Sequence, residues 1–300
     1  MKILITGSSG LIGSALIQIL RSEGHKVVRL VRRAVAPGED AAVWDPAAGK
    51  LEPSALQKTD AVVHLAGENI GAMRWTDERK DRMRGSRIQS TRLLSESLAQ
   101  LPVPPRVLVS ASAVGFYGSR GDESLTEESP AGSGYLSQVC QEWEAAAEPA
   151  RQRGIRVVNP RIGMVLSAKG GALPAMLPAF KACVGGKLGD GQQFVSWIAI
   201  DDLIQAISHI ITTDSLSGPV NTVSPNPVRN VEMTKALGKV LRRPTFLSMP
   251  ASVVRLIFGE MADALLLSGQ RVVPGKLLAS GFTFQFPDFE TSLRHLLNRE

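Results

Sequence analysis

Seven residues near the start of the chain carry its most chemically specific pattern, Gly7-Ser8-Ser9-Gly10-Leu11-Ile12-Gly13. An apolar run, Lys2-Ile3-Leu4-Ile5-Thr6, leads into it, an amphipathic stretch ending near Gly24 follows, and Val27-Val28-Arg29-Leu30-Val31 forms a second apolar run. Strand, glycine-rich turn, helix, strand is the sequence form of a dinucleotide-binding unit. Gly7 permits the tight turn, and Gly10 lets backbone amides approach a pyrophosphate. Gly13 lets the helix lie close on the strand, while unpaired N–H groups and the positive dipole end face the phosphates. Ser9, Leu11 and Ile12 complete this cradle. The second strand ends at Val31 and is followed by Arg32-Arg33. A carboxylate there would serve the ribose hydroxyl of NAD, whereas arginine grips the 2′-phosphate of NADP. The cofactor expected is therefore NADP.

The elements needed to hold this turn are legible downstream. Ala61-Val62-Val63-His64 reads as a buried strand ending in the turn Leu65-Ala66-Gly67. A helix is predicted from about Thr76 to Leu101, stopped by Pro102, Pro104 and Pro105, and a strand from Arg106 to Ser110. A loop rich in glycine, serine and acidic residues runs to Ser133. A helix over Tyr135 to Arg153 and a strand over Ile155 to Asn159 come next. Such alternation predicts an α/β fold, a Rossmann-type doubly wound parallel sheet with helices on both faces. Beyond Gly163, glycines and prolines punctuate shorter elements. Helices are predicted around Asp202–Ile211, Val231–Leu241 and Ser252–Leu266, and strands at Val220–Val223 and Phe282–Phe286. The expected division is a nucleotide-binding domain over residues 1–165 and a smaller C-terminal α+β substrate domain over 166–300, with some later segments crossing back.

Composition narrows the function classes. The 300 residues are 44% hydrophobic and 21% charged, ordinary for a globular protein. Cys140 and Cys183 read as free thiols in a reducing cytosol, and the N-terminal run enters a glycine turn rather than a cleavage site, so a cytoplasmic location is expected. His25, His64, His209 and His295 are isolated, without metal-ligand spacing. No stretch is apolar for the roughly 20 residues a membrane helix needs. The net charge of +6 raises nucleic acid as a partner. The densest basic stretch, Arg74 to Arg92, also holds Asp77, Glu78 and Asp81 and reads as one solvated helix, so no nucleic-acid partner is expected.

Further motifs extend the pattern over the whole chain: His64-Leu65-Ala66-Gly67-Glu68-Asn69-Ile70, Gly85-Ser86-Arg87, Ser110-Ala111-Ser112-Ala113-Val114-Gly115-Phe116-Tyr117-Gly118, Trp143-Glu144, Arg161-Ile162-Gly163, Trp197-Ile198-Ala199-Ile200-Asp201-Asp202, Ser224-Pro225-Asn226-Pro227-Val228 and Gly269-Gln270-Arg271-Val272-Val273-Pro274. With them the chain resembles the extended branch of the short-chain dehydrogenase/reductase superfamily, and more narrowly the epimerase family proteins related to nucleotide-sugar epimerases. The resemblance implies an oxidoreductase or epimerase acting on a small polar substrate, a nucleotide sugar or other carbonyl compound. It implies that Ser112 orients the reacting carbonyl or hydroxyl and that Tyr135 transfers the proton. Val31, Arg32, Arg33, Leu65, Ala66, Gly67, Arg87, Ser110 and Arg161 would lie along the cofactor.

The chain departs from that pattern at one decisive place. A lysine four residues after the tyrosine holds the cofactor ribose and lowers the tyrosine pKa, but Tyr135-Leu136-Ser137-Gln138 is followed by Val139, and no lysine stands between Lys80 and Lys169. A tyrosine with an ordinary pKa of about 10 lies roughly 4 kcal/mol from its phenolate at pH 7. Arg87 and Arg161 are the substitutes by motif position, although arginine releases no proton. A core aromatic at a helix start is the other reading of Tyr135, and an NADPH-binding sensor with little turnover the other reading of the chain. Ala199 stands where related chains often carry histidine. Glu68 and Asn69 are spare polar groups near the nicotinamide end, with helix capping an equal role for Asn69; Trp75 and Trp197 either line a pocket or pack.

Overall fold

The structure is a computed structural model and describes residues 1–71 and 74–299. Its centre is a parallel sheet. Strands β1 (Lys2–Thr6), β2 (Lys26–Val31) and β3 (Ala41–Asp45) run outward on one side. A short antiparallel strand, β4 (Lys50–Leu51), edges that side. On the other side of β1 lie β5 (Ala61–His64) and β6 (Val107–Ser110), then the strands Arg156–Ile162 and Gly218–Thr222. The chain therefore leaves β1 in one direction and returns on its other side, and β1 and β5 flank the crevice where doubly wound sheets bind ligands.

Burial on both faces makes the strands continuous apolar runs. Ile3, Ile5, Val63, Val109 and Val158 pack with Leu16, Ile17 and Leu20 of helix α1 (Leu11–Ser22) on one face. Leu4, Val62 and Leu108 meet Leu94 and Leu98 of a long helix, Asp77–Ala99, on the other. The long helix begins at Thr76, whose Oγ1 accepts the Arg79 amide, and Asp77 and Glu78 complement its dipole. Asn69 is not that cap; its Oδ1 accepts the Gly71 amide in a local turn.

Later segments of the chain join this sheet and its helical layer. Gly218–Thr222 pairs in parallel with Val158–Ile162, and the helix Ile200–Thr212 adds Leu203, Ala206, Ile207 and Ile210 to the core around α1. A separate cluster forms later in the chain, in which Leu166, Leu173, Phe180, Leu237 and Leu293 pack with Trp197 and Phe289.

Several predicted elements differ. The helix over Tyr135 to Arg153 is two, Tyr135–Ala145 and Glu148–Gln152, because Pro149 has no N–H to continue the ladder and suits a first turn. The predicted helix Ser252–Leu266 stops at Phe258, where Gly259 takes φ +61°, and resumes over Ala262–Leu266. Phe282–Phe286 is not a strand. Its amides at Gln285 and Phe286 donate to the Asp202 carboxylate at 2.7 and 3.0 Å, so a buried side chain holds this segment in place of a strand partner. No helix among the described residues is long and apolar enough to cross a membrane.

Candidate active site and cofactor cleft

Register places the expected site residues on one edge. Thr6 pairs with Leu30 and with His64, and His64 with Ser110, so the turns after β1, β2, β5 and β6 open side by side. The glycine turn is shaped by backbone approach. Gly7 has φ +68°, and a Cβ on it would stand 2.7 Å from the Leu65 carbonyl; one on Gly13 would stand 2.3 Å from the Gly7 oxygen. Gly10 begins α1 without a side-chain cap and without an acid in the first turn. Ser9 and Gly10 are exposed. A bare helix terminus opening to solvent between two strands fits the pyrophosphate of a dinucleotide.

The two arginines after β2 separate in role. Arg33 is ion-paired with Glu39, with Nη1 at 3.1 Å from Oε2, and the Arg33 hydrogen bond is the main cause of the Glu39 carboxyl lying at about 2. Arg29 binds the same carboxylate at 2.5 Å. Arg32 is exposed and has no hydrogen bond or ion pair among the described residues. Of the two, Arg32 is the guanidinium open to a 2′-phosphate.

The turn Leu65-Ala66-Gly67 is held from below by residues that sequence reasoning left without a role. Thr6 Oγ1 accepts the amides of Leu65 and Ala66, both at 3.2 Å, so its proton goes to His64 Nδ1 at 2.7 Å. The other imidazole nitrogen then donates to Ser90 Oγ at 3.1 Å, which donates to the Ser86 carbonyl at 2.6 Å. His64 is fully buried, and desolvation lowers its pKa to about 3. Its unfolded counterpart titrates near about 6.5, so below that pH the unfolded chain binds one proton more than the folded one. Stability from this group is complete above about 6.5 and declines towards about pH 3, by up to about 1.4 kcal/mol per unit. The urea midpoint of a His64→Asn variant should accordingly fall less between neutral pH and about pH 5 than that of the parent. Equal declines would remove His64 from this account.

Arg87, also expected along the cofactor, lies against the same turn. Its guanidinium donates to the carbonyls of Met83 and Glu68, both at 2.9 Å, and stands over the Trp143 ring at 5.1 Å. Ser110 is buried, with its hydroxyl unpartnered among the described residues.

Ser112 sits beyond β6, in register with Arg161, and donates to Glu144 Oε1 at 2.7 Å. Arg161 grips that carboxylate with two bonds, Nε to Oε1 at 2.8 Å and Nη2 to Oε2 at 2.9 Å. Its Nη1 donates to the Tyr117 hydroxyl at 2.9 Å, which donates to Asn221 Oδ1 at 2.6 Å. The Asn221 amide donates to the buried Glu127. Arg161, expected along the cofactor, is 4% exposed and packs against Glu144 and the Phe116 ring. Glu144 is the missed member of this group. Its signal was present in Trp143-Glu144 and Arg161, two charged positions beside buried elements.

Tyr135 is the first residue of its helix, and its hydroxyl donates to the Lys80 carbonyl at 2.6 Å. Burial raises its pKa above the usual phenol value, against the smaller pull of Arg87 and Lys80. It shares no hydrogen bond with Ser112, and Val139 is buried where a lysine would stand. Trp75 packs edge-on against Tyr135 at 5.6 Å and Trp197 against Phe289 at 4.9 Å, so both pack. Ala199 is fully buried in the short strand Trp197–Ala199.

Cations of the Arg74–Arg92 stretch are largely answered internally: Arg79 binds the Asn69 carbonyl, Arg82 pairs with Glu68, Arg84 with Glu142, and Lys80 with Asp77 and Glu260. This local compensation leaves little of the continuous positive field that nucleic-acid binding uses.

Known proteins resemble this chain over nearly its whole length. An epimerase family protein of Mycobacterium tuberculosis is 45% identical over 99% of this chain and 98% of its own length. The Arabidopsis thaliana homologue of epimerase family protein SDR39U1, described as chloroplastic, is 39% identical over 99% of this chain and 87% of its own. The crystal structure of human epimerase family protein SDR39U1 with NADPH superposes with a TM-score of 0.89 at 34% identity, covering 99% of each chain. Residues 249–296 match a domain of unknown function, and residues 3–222 match the NAD dependent epimerase/dehydratase family. The chain belongs to the NAD dependent epimerase/dehydratase family.

Proposed function

We propose that this protein is an NADP(H)-dependent oxidoreductase or epimerase-like enzyme that works on a hydroxyl or carbonyl of a small polar substrate, such as a nucleotide sugar. The observation that carries this reading is one crevice edge holding the bare α1 terminus, the unpaired Arg32, and Ser112 backed by an ion-paired carboxylate. Amides from Ser9 to Ile12 would hold the pyrophosphate, Val31 and Arg32 the adenosine end with its 2′-phosphate, and Leu65 to Gly67 the adjoining path. When bound, NADP(H) supplies the hydride acceptor or donor. Arg33, Arg87 and Arg161 support the site from behind.

Ser112 is the residue assigned to the substrate oxygen. Glu144, paired with Arg161, accepts the only Ser112 proton, so Oγ offers lone pairs and favours a substrate hydroxyl. Tyr135 takes a lesser part: its proton is engaged by Lys80, and its raised pKa makes it a weak base. The engaged tyrosine and Val139 favour the second reading, an NADPH-binding sensor with little turnover. Cys140 and Cys183 are free thiols, which supports a reducing compartment such as the cytosol.

The test is NADPH oxidation and NADP reduction against matched carbonyl and alcohol panels that include nucleotide sugars. Substrate-dependent turnover should fall about 100-fold or more in Ser112→Ala and less than about 10-fold in Tyr135→Phe. Tight NADPH binding without any turnover sensitive to Ser112→Ala would leave the sensor.

A further inference from the structure

Most of the exposed large apolar side chains among the described residues lie in one region. Phe246 is 82% exposed and Leu256 76%, and Val184, Leu247, Val253 and Ile257 are exposed with them. On the helix Ala251–Phe258, Val253, Leu256 and Ile257 stand at i, i+3 and i+4 and share one face, while Val254 is the residue the helix buries. Pairing in parallel, Lys187–Leu188 and Ser248–Met249 bring the turn after Val184 beside Leu247, whose carbonyl lies against Gly186. The helix begins two residues after Met249, so strand, loop and helix form one apolar surface.

The setting of this surface is basic. Residues 149–189 and 233–259, the two stretches that supply it, contain no aspartate or glutamate. Near the apolar side chains they carry Lys181, Lys187, Lys235, Arg242 and Arg243, none in an ion pair among the described residues. The acids at the margins are engaged. Asp190 and Glu232 accept the amides of Gln192 and Arg229, and Glu260 and Asp263 pair with Lys80 and Arg255. A surface groove of about 380 Å³ has Lys187 and Lys235 on the same walls as Phe246 and Leu247, so cation and apolar group stand side by side.

Charge decides what this surface fits. A second copy docked through the same patch would set these cations against their own counterparts. A nucleic acid would answer the cations but has no use for a row of aliphatic side chains. An anionic lipid surface takes both, because headgroups answer the cations and acyl chains accept the apolar face. We propose that this patch docks the protein on an anionic lipid bilayer. Phe246, Leu247 and the face of Val253, Leu256 and Ile257 enter the interface, and Lys187, Lys235, Arg242 and Arg243 meet the headgroups. The protein lies on the bilayer without crossing it, as no described helix is long and apolar enough to do so. None of these residues belongs to the glycine turn or the Ser112 group, so the proposal is independent of the cofactor reading.

Flotation of the full chain with vesicles tests the assignment, using phosphatidylcholine alone and phosphatidylcholine with phosphatidylglycerol in equal parts. Binding should be at least about 10-fold stronger on the mixed vesicles and should weaken at high salt. Arg242→Gln/Arg243→Gln should lower it by about 30-fold. Phe246→Ser/Leu256→Ser should lower it by about 10-fold or more. All four positions are exposed, so melting temperatures should stay at the parental value. In Phe246→Trp, brominated acyl chains should quench the new tryptophan, whereas the native tryptophans are buried and should keep their emission. No binding to the mixed vesicles would overturn the proposal, as would equal binding to both compositions or binding that both double variants retain. A parental dimer in sedimentation velocity that Phe246→Ser/Leu256→Ser dissociates would give the face to a second copy and overturn it as well.

Discussion

A Gly13→Ala variant is expected to lose NADPH affinity by about 100-fold or more and about 3 kcal/mol of stability. The added methyl would stand 2.3 Å from the Gly7 oxygen and 3.0 Å from the Gly7 carbonyl carbon and the Ser8 Cα, all backbone atoms that no rotamer change can move. Relief requires α1 to tilt away from β1. That tilt withdraws Leu16, Ile17 and Leu20 from the core and displaces the amides at the head of the helix. Affinity should suffer more than stability, because amide positions must be kept to a fraction of an ångström while the core can partly repack. Gly85→Ala is the matched control. That glycine lies inside the long helix Asp77–Ala99, where the nearest atom to a new Cβ is a flexible Gln89 side chain at 3.6 Å. It should raise stability by about 0.5–1 kcal/mol and leave affinity unchanged. Urea midpoints and nucleotide titrations on both variants decide the matter. Parent-like affinity in Gly13→Ala would mean that α1 does not hold the pyrophosphate.

What could be read from the sequence was what is local. The turn from Gly7 to Gly13 and its flanking strands are defined within about thirty residues, and buried parallel strands leave continuous apolar runs. Strand β3 escaped because it offers one strongly buried side chain, Trp44, amid small and exposed residues. The surroundings of site residues were hidden where a partner came from a distant element. Arg33 looked as free as Arg32 until the fold brought Glu39 back to it. Arg161 looked like a cofactor ligand because its motif sits after the strand Arg156–Ile162, but its charge is answered by Glu144, seventeen positions away. His64 read only as an isolated histidine at the end of an apolar run, because its partners Thr6 and Ser90 come from β1 and the long helix. Charged and polar groups in a crevice are assigned by their nearest opposite, and the nearest opposite is a property of topology.

The Glu144–Arg161 pair gives the largest expected effect outside the glycine turn. The two side chains are 13% and 4% exposed, and each answers the charge of the other with two hydrogen bonds. Removing one partner strands a buried charge, so Glu144→Ala should cost about 3–5 kcal/mol. Arg161→Met should cost a similar amount, somewhat offset because methionine keeps contact with the Phe116 ring that the guanidinium covers at 3.4 Å. The double variant Glu144→Leu/Arg161→Met removes both charges and replaces them with apolar volume. It should be more stable than either single variant, since a buried pair is often close to neutral against a packed apolar substitute. Urea unfolding of the four proteins gives the coupling energy directly, and losses that simply add would show that the two charges do not depend on each other. Function should not follow stability. In the double variant Ser112 loses the acceptor for its proton and is free to donate to a carbonyl, so any turnover that survives should shift its preference from alcohols towards carbonyl compounds. A folded double variant with parental alcohol preference would show that Glu144 does not set the direction in which Ser112 presents its proton.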